Sequence, residues 1–293
     1  MNVQLMLMGI FGFFWGGFVT PISIKLADEY RILDLPDVRK IHRNPTPRGA
    51  GIGLWGGYLL WALYCVGERP GVRYSATGAT LVFLCGYLDD MRPLSPFLRL
   101  ALHFFAASLI VVPLPLPFVA KFVCIAWITG TTSAYNLIDG VNGLCISVFI
   151  ASAGALYFIG DGSFGVMGAA AALGVLCWNF PKAWVFLGDG GSTLLGFLFA
   201  SHVVMTASNT LARIPPHELI LLLLALGGIP VLDTLVAFSR RILEGKSPFY
   251  PDKKHLHHHF MKWTRSPFWA VTYMLLLHIL LLTGGIAVYT KLS

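Results

Sequence analysis

Leu219-Ile-Leu-Leu-Leu-Leu-Ala-Leu-Gly-Gly-Ile-Pro-Val-Leu232 is the centre of an apolar run that extends from 217 to 238. An α-helix rises ~1.5 Å per residue, so about 20 such residues cross the hydrocarbon of a bilayer. Working outward, comparable runs lie at about 3–22, 49–66, 76–88, 97–113, 117–135, 143–160, 164–179, 190–208 and 268–289. Ten runs predict an all-α, polytopic integral membrane protein with about ten transmembrane helices. Composition agrees: 56% of the 293 residues are hydrophobic and 12% charged, more apolar surface than a soluble domain of this size can bury. The first run lacks a basic leader and a small-residue cleavage site, which predicts a retained helix. No charged or Ser/Pro-rich linker divides the chain, so 1–293 is read as one transmembrane domain.

Lys and Arg set the orientation, because short loops retain them on the cytoplasmic side. The connections at 23–48, 89–99, 179–189 and 239–267 hold 16 of the 21 basic residues; Arg69, Arg73, Lys121, Arg213 and Lys291 fall on the other side. Both termini are therefore predicted external. The net charge of +7 becomes a topology signal facing lipid headgroups, with no nucleic acid implied. Cys65, Cys85, Cys124, Cys145 and Cys177 lie in or beside apolar runs without CxxC spacing and are read as buried structural thiols. The prolines of Pro113-Leu-Pro-Leu-Pro117 predict an external turn.

Ten of the 14 acidic residues fall on the predicted cytoplasmic side, and only Asp233 lies well inside a run, near its cytoplasmic end. A carboxylate at membrane depth is costly and usually paired or functional. Gly86-Tyr-Leu-Asp-Asp-Met-Arg-Pro93 ends the third run with Asp89 and Asp90 adjacent. Neighbouring carboxylates repel unless a cation lies near, which suits Mg²⁺, the alternative being a solvated loop pair. Asn136-Leu-Ile-Asp-Gly-Val-Asn-Gly143 interleaves hydrogen-bonding side chains with Gly, as nucleobase or sugar recognition requires and as an ordinary turn also would. Asn179-Phe-Pro-Lys-Ala-Trp-Val-Phe-Leu-Gly-Asp-Gly-Gly-Ser192 places Asp189 where a helix begins, as metal ligand or as helix cap. His255, His257, His258 and His259, flanked by lysines, suit phosphate oxygens better than zinc, since no Cys accompanies them. Arg39-Lys-Ile-His-Arg-Asn-Pro-Thr-Pro-Arg-Gly-Ala-Gly-Ile52 brings Lys40 and Arg48 to the same side, as a phosphate or headgroup contact or as a positive-inside loop. A topology drawn from basic residues thus gathers five polar motifs on one face. Carboxylates for a metal, a hydrogen-bonding pocket and cations for phosphate are the parts of a phosphoryl-transfer site.

From Lys40 to Phe260 these motifs, in order and spacing, resemble the polyprenyl-phosphate N-acetylhexosamine-1-phosphate transferases of the glycosyltransferase family 4 type. The resemblance implies Mg²⁺-dependent transfer of a sugar 1-phosphate from a UDP-N-acetylhexosamine to undecaprenyl phosphate, with release of UMP; Mn²⁺ is the alternative ion. It implies Asp189 as a metal ligand, with Asp89 and Asp90 beside it. Asp89 is the favoured base, and His258 joins the catalytic set. Asn142 and Phe186 resemble uracil contacts. Lys40, Arg48, Asn136, Asp139, Asn179, His255, His257 and His259 would line the substrate path. Pro45-Thr-Pro-Arg48 and the Asp252-Lys-Lys-His255 lead-in are more similar to the N-acetylglucosamine branch than to the MurNAc-pentapeptide branch. Pro93 departs from a third acidic residue common in that branch, which leaves room for N-acetylfucosamine. The expected setting is the bacterial inner membrane with the active site facing the cytoplasm and a homodimer as a further partner state. A transporter would instead place its polar groups near mid-membrane on broken helices of pseudo-symmetric halves; a lipid-binding scaffold would need no carboxylate constellation.

Overall fold

The computed structural model describes residues 3–35, 45–247 and 254–293. Each of the ten runs forms a helix: α1 (Val3–Glu29), α2 (Gly51–Cys65), α3 (Val72–Met91), α4 (Pro96–Val111), α5 (Phe118–Ile138), α6 (Leu144–Ile159), α7 (Gly162–Asn179), α8 (Gly188–Leu211), α9 (Pro216–Leu243) and α11 (Pro267–Leu292). A short α10 (Leu256–Thr264) precedes the last. The strands β1 (Leu33–Asp34) and β2 (Thr46–Pro47) pair antiparallel between α1 and α2. Among the described residues, five helices, α1, α7, α8, α9 and α11, are long and apolar enough to cross a membrane. Large apolar side chains such as Phe18, Leu63, Phe118 and Leu280 face outward, as a lipid solvent requires and water would not. The protein is a multi-pass membrane protein.

The bundle is built around α8, which packs on α2, α3, α4, α5 and α6, while α1 lies along α7 and α9 along α5 and α11. Lipid supplies no hydrophobic drive between helices, so close backbone approach through small residues takes over. At α1 against α7, a Cβ on Gly16 would fall 2.1 Å from the Ala171 carbonyl oxygen, and one on Gly174 would fall 2.3 Å from that of Phe13. The N-terminus of α8 approaches its neighbours in the same way. A Cβ on Gly86 of α3 would meet the Asp189 backbone at 2.6 Å, and one on Gly51 of α2 would meet Gly191 Cα at 2.6 Å.

Three expectations are corrected. The third run extends to Val72–Met91, so Asp89 and Asp90 belong to the last turn of α3 and not to the loop. The run at 217–238 is not one straight helix: α9 breaks at Gly228 (φ 59°, ψ −149°), just before Pro230. Pro230 has no amide to donate. The Ile229 amide freed there donates to Nδ1 of His278 at 3.3 Å, and the ring's other nitrogen meets Ser152 at 2.8 Å. The histidine segment, read as part of the last connection, is the nine-residue helix α10, too short for a crossing. Finally, Cys177 is exposed on α7, whereas the other four thiols are buried as expected.

At the end of the bundle away from the polar motifs, Asp161 accepts from Arg69 and from Nδ1 of His202, at 2.8 and 2.6 Å. Burial pushes the Asp161 carboxyl up, but these two partners outweigh it and hold the group below the usual carboxylate range.

Candidate active site

The four helix-linked motifs meet at one end of the bundle, because α3, α5 and α7 end there and α8 begins there. Gly188 sits at φ 74°, a conformation that L side chains rarely adopt, and a Cβ on it would fall 2.5 Å from Asp90 Oδ2. This lets Asp90 reach across from α3 and accept the Gly190 amide at 3.2 Å. Asp90 therefore satisfies one of the orphan donors in the first turn of α8. Its other oxygen accepts from Arg48 at 3.1 Å, and only 3% of its side chain is exposed. Asp189 is not the cap that sequence allowed: Leu187 holds the N-cap position without a side-chain bond. The Asp189 carboxylate, 31% exposed, points instead to Arg99 at 3.1 Å.

Arg99 also holds Asp89 at 2.5 Å, while the Leu94 amide donates to the other Asp89 oxygen at the same distance. Arg48 spans Asp34 and Asp90. Burial pulls the Arg48 pKa down, but Asp90 and then Asp34 outweigh it and raise it above its ordinary value. Asp139 follows the last turn of α5. No donor reaches its carboxylate among the described residues. Burial, followed by the charges of Asp189 and Asp90, pushes its pKa up to about 7. Among the described residues, five carboxylates, from Asp34, Asp89, Asp90, Asp139 and Asp189, thus face two guanidiniums, a negative excess suited to a divalent cation.

The flanking residues divide into those that open onto this site and those that build it. Asn136 accepts the Ser192 hydroxyl at 2.9 Å and also bonds Asp189. Asn179 is buried, accepting from the Gly143 amide at 2.6 Å and donating to the Val185 carbonyl at 2.8 Å. It ties the loop between α5 and α6 to the connection between α7 and α8. Asn142 reaches the Pro181 carbonyl at 3.5 Å. Phe186 is half-buried, and its backbone is clamped by the segment before α2: its amide donates to Pro47 at 2.8 Å, and its carbonyl accepts from Gly49 and Ala50. His255 and His257 are likewise buried, with a Cβ on Gly140 falling 2.5 Å from His257 Nε2. Burial lowers the His257 pKa to about 3. His258 is half-buried and His259 exposed. Lys40 lies outside the described residues.

Sequence reasoning missed Arg99 and Asp34. Arg99 carried a signal. It stands in the first turn of α4, after the Ser95 cap and Pro96, where the helix dipole disfavours a cation. Nearby carboxylates explain that placement. Asp34 offered no comparable clue.

The donor set can be tested against Mg²⁺. The carboxylates offer hard oxygens; Cys85, one turn before Asp89 on α3, is buried. Among the described residues, no three His, Cys, Asp or Glu side chains form a ready coordination shell. Mg²⁺ needs no all-protein cage, since it binds through one or two carboxylates completed by water and substrate phosphate. The residues fit such an ion.

Residues 72–207 match the sequence profile of Glycosyl transferase family 4. A Bacillus subtilis protein named as a probable undecaprenyl-phosphate N-acetylglucosaminyl 1-phosphate transferase is 31% identical over 83% of this chain and 73% of its own length. An undecaprenyl-phosphate alpha-N-acetylglucosaminyl 1-phosphate transferase from Thermotoga maritima is 30% identical over 84% of this chain and 78% of its own. Its namesake from Escherichia coli K12 is 26% identical over 81% and 71%. With motifs, fold and kinship in agreement, the chain belongs to glycosyl transferase family 4, among the polyprenyl-phosphate N-acetylhexosamine-1-phosphate transferases.

Proposed function

We propose that the protein transfers N-acetylglucosamine 1-phosphate from its UDP-sugar to undecaprenyl phosphate and releases UMP. The observation that carries this is the meeting of Asp89, Asp90, Asp139 and Asp189 with Arg48 and Arg99 at one end of a membrane bundle. In the reaction an oxygen of the lipid phosphate forms a bond to the sugar-linked phosphorus. The bond from that phosphorus to the bridging oxygen breaks, and UMP leaves with the electron pair.

Mg²⁺, or Mn²⁺ in its place, would neutralise charge on the diphosphate when bound, with Asp189 as its principal ligand and Asp89 at its side. Asp89 is the base that keeps the lipid phosphate ionised. Asp90, buried and already bonded to the α8 amide, fixes Arg48 and the helix end against which the others stand. Arg99 and Arg48 answer the phosphate charge that accumulates at transfer. Phe186 offers a ring face to uracil, and Asn142 offers it hydrogen bonds. His258 and His259, the more open imidazoles, face the diphosphate.

All ten long helices span the membrane in this reading. The site faces the cytoplasm of a bacterial inner membrane, and both termini are external. The support is the distribution of Lys and Arg, which favours the site end of the bundle.

Purified protein, Mg²⁺, undecaprenyl phosphate and a panel of UDP-sugars test the proposal. UMP release is expected with UDP-N-acetylglucosamine. Absence of release with every sugar in the panel overturns the transferase reading, and release only with another N-acetylhexosamine overturns the choice of sugar.

A further inference from the structure

Asp233 lies well inside an apolar run, and the reaction described above does not use it. Its side chain is 3% exposed. Oδ2 accepts from Nδ1 of His255 at 2.8 Å, and Oδ1 accepts from the Leu256 amide at 3.0 Å. The second bond satisfies an orphan donor in the first turn of α10, so Asp233 caps that helix from α9. The first bond belongs to a longer chain. Nε2 of His255 lies 3.2 Å from Nη2 of Arg241, which is also buried. Asp233 and Arg241 are eight residues apart beyond the Gly228 break, so both stand on one stripe of α9.

The protons in this chain are determined by chemistry. A guanidinium only donates, so His255 Nε2 is the acceptor and Nδ1 carries the hydrogen that goes to Asp233. His255 is thereby a neutral imidazole in one tautomer between a buried cation and a buried anion. The His257 ring lies parallel to that of His255, with centroids 5.8 Å apart and an interplanar angle of 5°. Its Nε2 edge rests against Gly140, between Asp139 and Asn142 in sequence.

We propose that Asp233, with Arg241, is the positioning residue for the histidine helix. It fixes the tautomer of His255 and the start of α10, and so sets where His257, His258 and His259 stand relative to the Asp139 to Asn142 loop. The ligand served by that placement is the nucleoside diphosphate of the donor sugar, which rests on the transferase reading above.

Asp233→Asn tests the assignment because a carboxamide has one accepting end. If its oxygen keeps the Leu256 amide, its nitrogen opposes His255 Nδ1–H. Moving that hydrogen to Nε2 opposes it to Arg241. No tautomer satisfies both neighbours. The expected result is a KM for UDP-N-acetylglucosamine raised at least tenfold, with the KM for undecaprenyl phosphate changed less than twofold. Loss of properly folded molecules alone would lower kcat and leave both KM values in place. The second measurement uses the unaltered protein with ¹⁵N-labelled histidine, the His255 ring being identified by its loss in His255→Gln. A neutral ring protonated on Nδ1 is expected.

A UDP-sugar KM within twofold of the unaltered enzyme, or a His255 ring carrying its proton on Nε2 or on both nitrogens, overturns the proposal. If Asp233→Asn does not fold, Arg241→Met replaces it in the KM measurement, and the ring spectrum stands unchanged as a test. Absence of UMP release from the unaltered protein would sink the transferase reading, while the ring spectrum would still decide the tautomer.

Discussion

Nη1 of Arg99 lies 3.1 Å from Oδ2 of Asp189 and holds Asp89 with the same atom. One guanidinium therefore neutralises two carboxylates assigned to the metal. Arg99→Gln removes this competing cation. The Mg²⁺ concentration for half-maximal UMP release is expected to fall about three- to tenfold, with a lower kcat at saturating Mg²⁺. A Mg²⁺ requirement that stays constant or rises refutes the competition.

The two residues of the acidic pair should fail differently. Asp89→Asn and Asp189→Asn are expected to cut turnover on the order of 10²-fold or more while the protein still folds in detergent. Asp90→Ala leaves the Gly190 amide without its buried acceptor and Arg48 with Asp34 alone, and should cost about 1–3 kcal/mol of stability. Melting curves and UMP release on the three variants separate these effects. Near-normal turnover in either Asn variant removes its assigned role.

Backbone contact at the head of α8 gives a steric prediction. Gly86→Ala puts a methyl group 2.6 Å from the Asp189 backbone, where no side chain can move aside. A stability loss of about 1–3 kcal/mol is expected, together with loss of activity. Gly130→Ala, with nothing within 4 Å of its Cβ, is the control and should be neutral or slightly stabilising. Equal melting temperatures for the two variants would contradict the packing described.

Acid should loosen the histidine helix. The folded-state pKa of His257 is lowered to about 3, below its ordinary 6.5, so the unfolded chain binds the extra proton first. Its contribution to stability is intact above pH 6.5 and declines as pH falls from there toward 3. Asp139 acts with the opposite sign, since a carboxyl raised to about 7 gains relative stability as pH falls through that value. Melting temperatures from pH 7.5 to 5 should therefore fall less steeply in His257→Gln than in the unaltered protein, and more steeply in Asp139→Asn. Parallel profiles for all three would refute both assignments.

The helices were legible because lipid imposes one rule on every exposed stretch, and ten apolar runs gave ten helices. Their ends were less legible. Run 76–88 was broken at charges, yet α3 continues through Asp89 and Asp90 because Arg48, Arg99 and the α8 amide satisfy those carboxylates. The break at Gly228 escaped a hydropathy reading, which registers apolarity and not φ. The acceptor of the Ile229 amide freed there, His278, is 49 positions away in sequence. Within the site, residue types that promise chemistry were visible by motif. Their division of labour was not, since Asn179 and His255 reveal a building role only through partners brought by the fold. Asp233 was conspicuous from sequence, but the side chain it orients was not.

The Gly86 contact with the backbone of Asp189 and Gly190 has an evolutionary consequence. The spacing between the α3 carboxylates and the α8 head is set by peptide planes, which have no rotamers and are common to every substitution that preserves the glycines. Side chains farther along both helices can drift without carrying the reacting groups out of register. Variation in donor preference is thus expected to accumulate in the loops around Phe186 and Asn142, while the distance between the two helix ends stays constant across relatives.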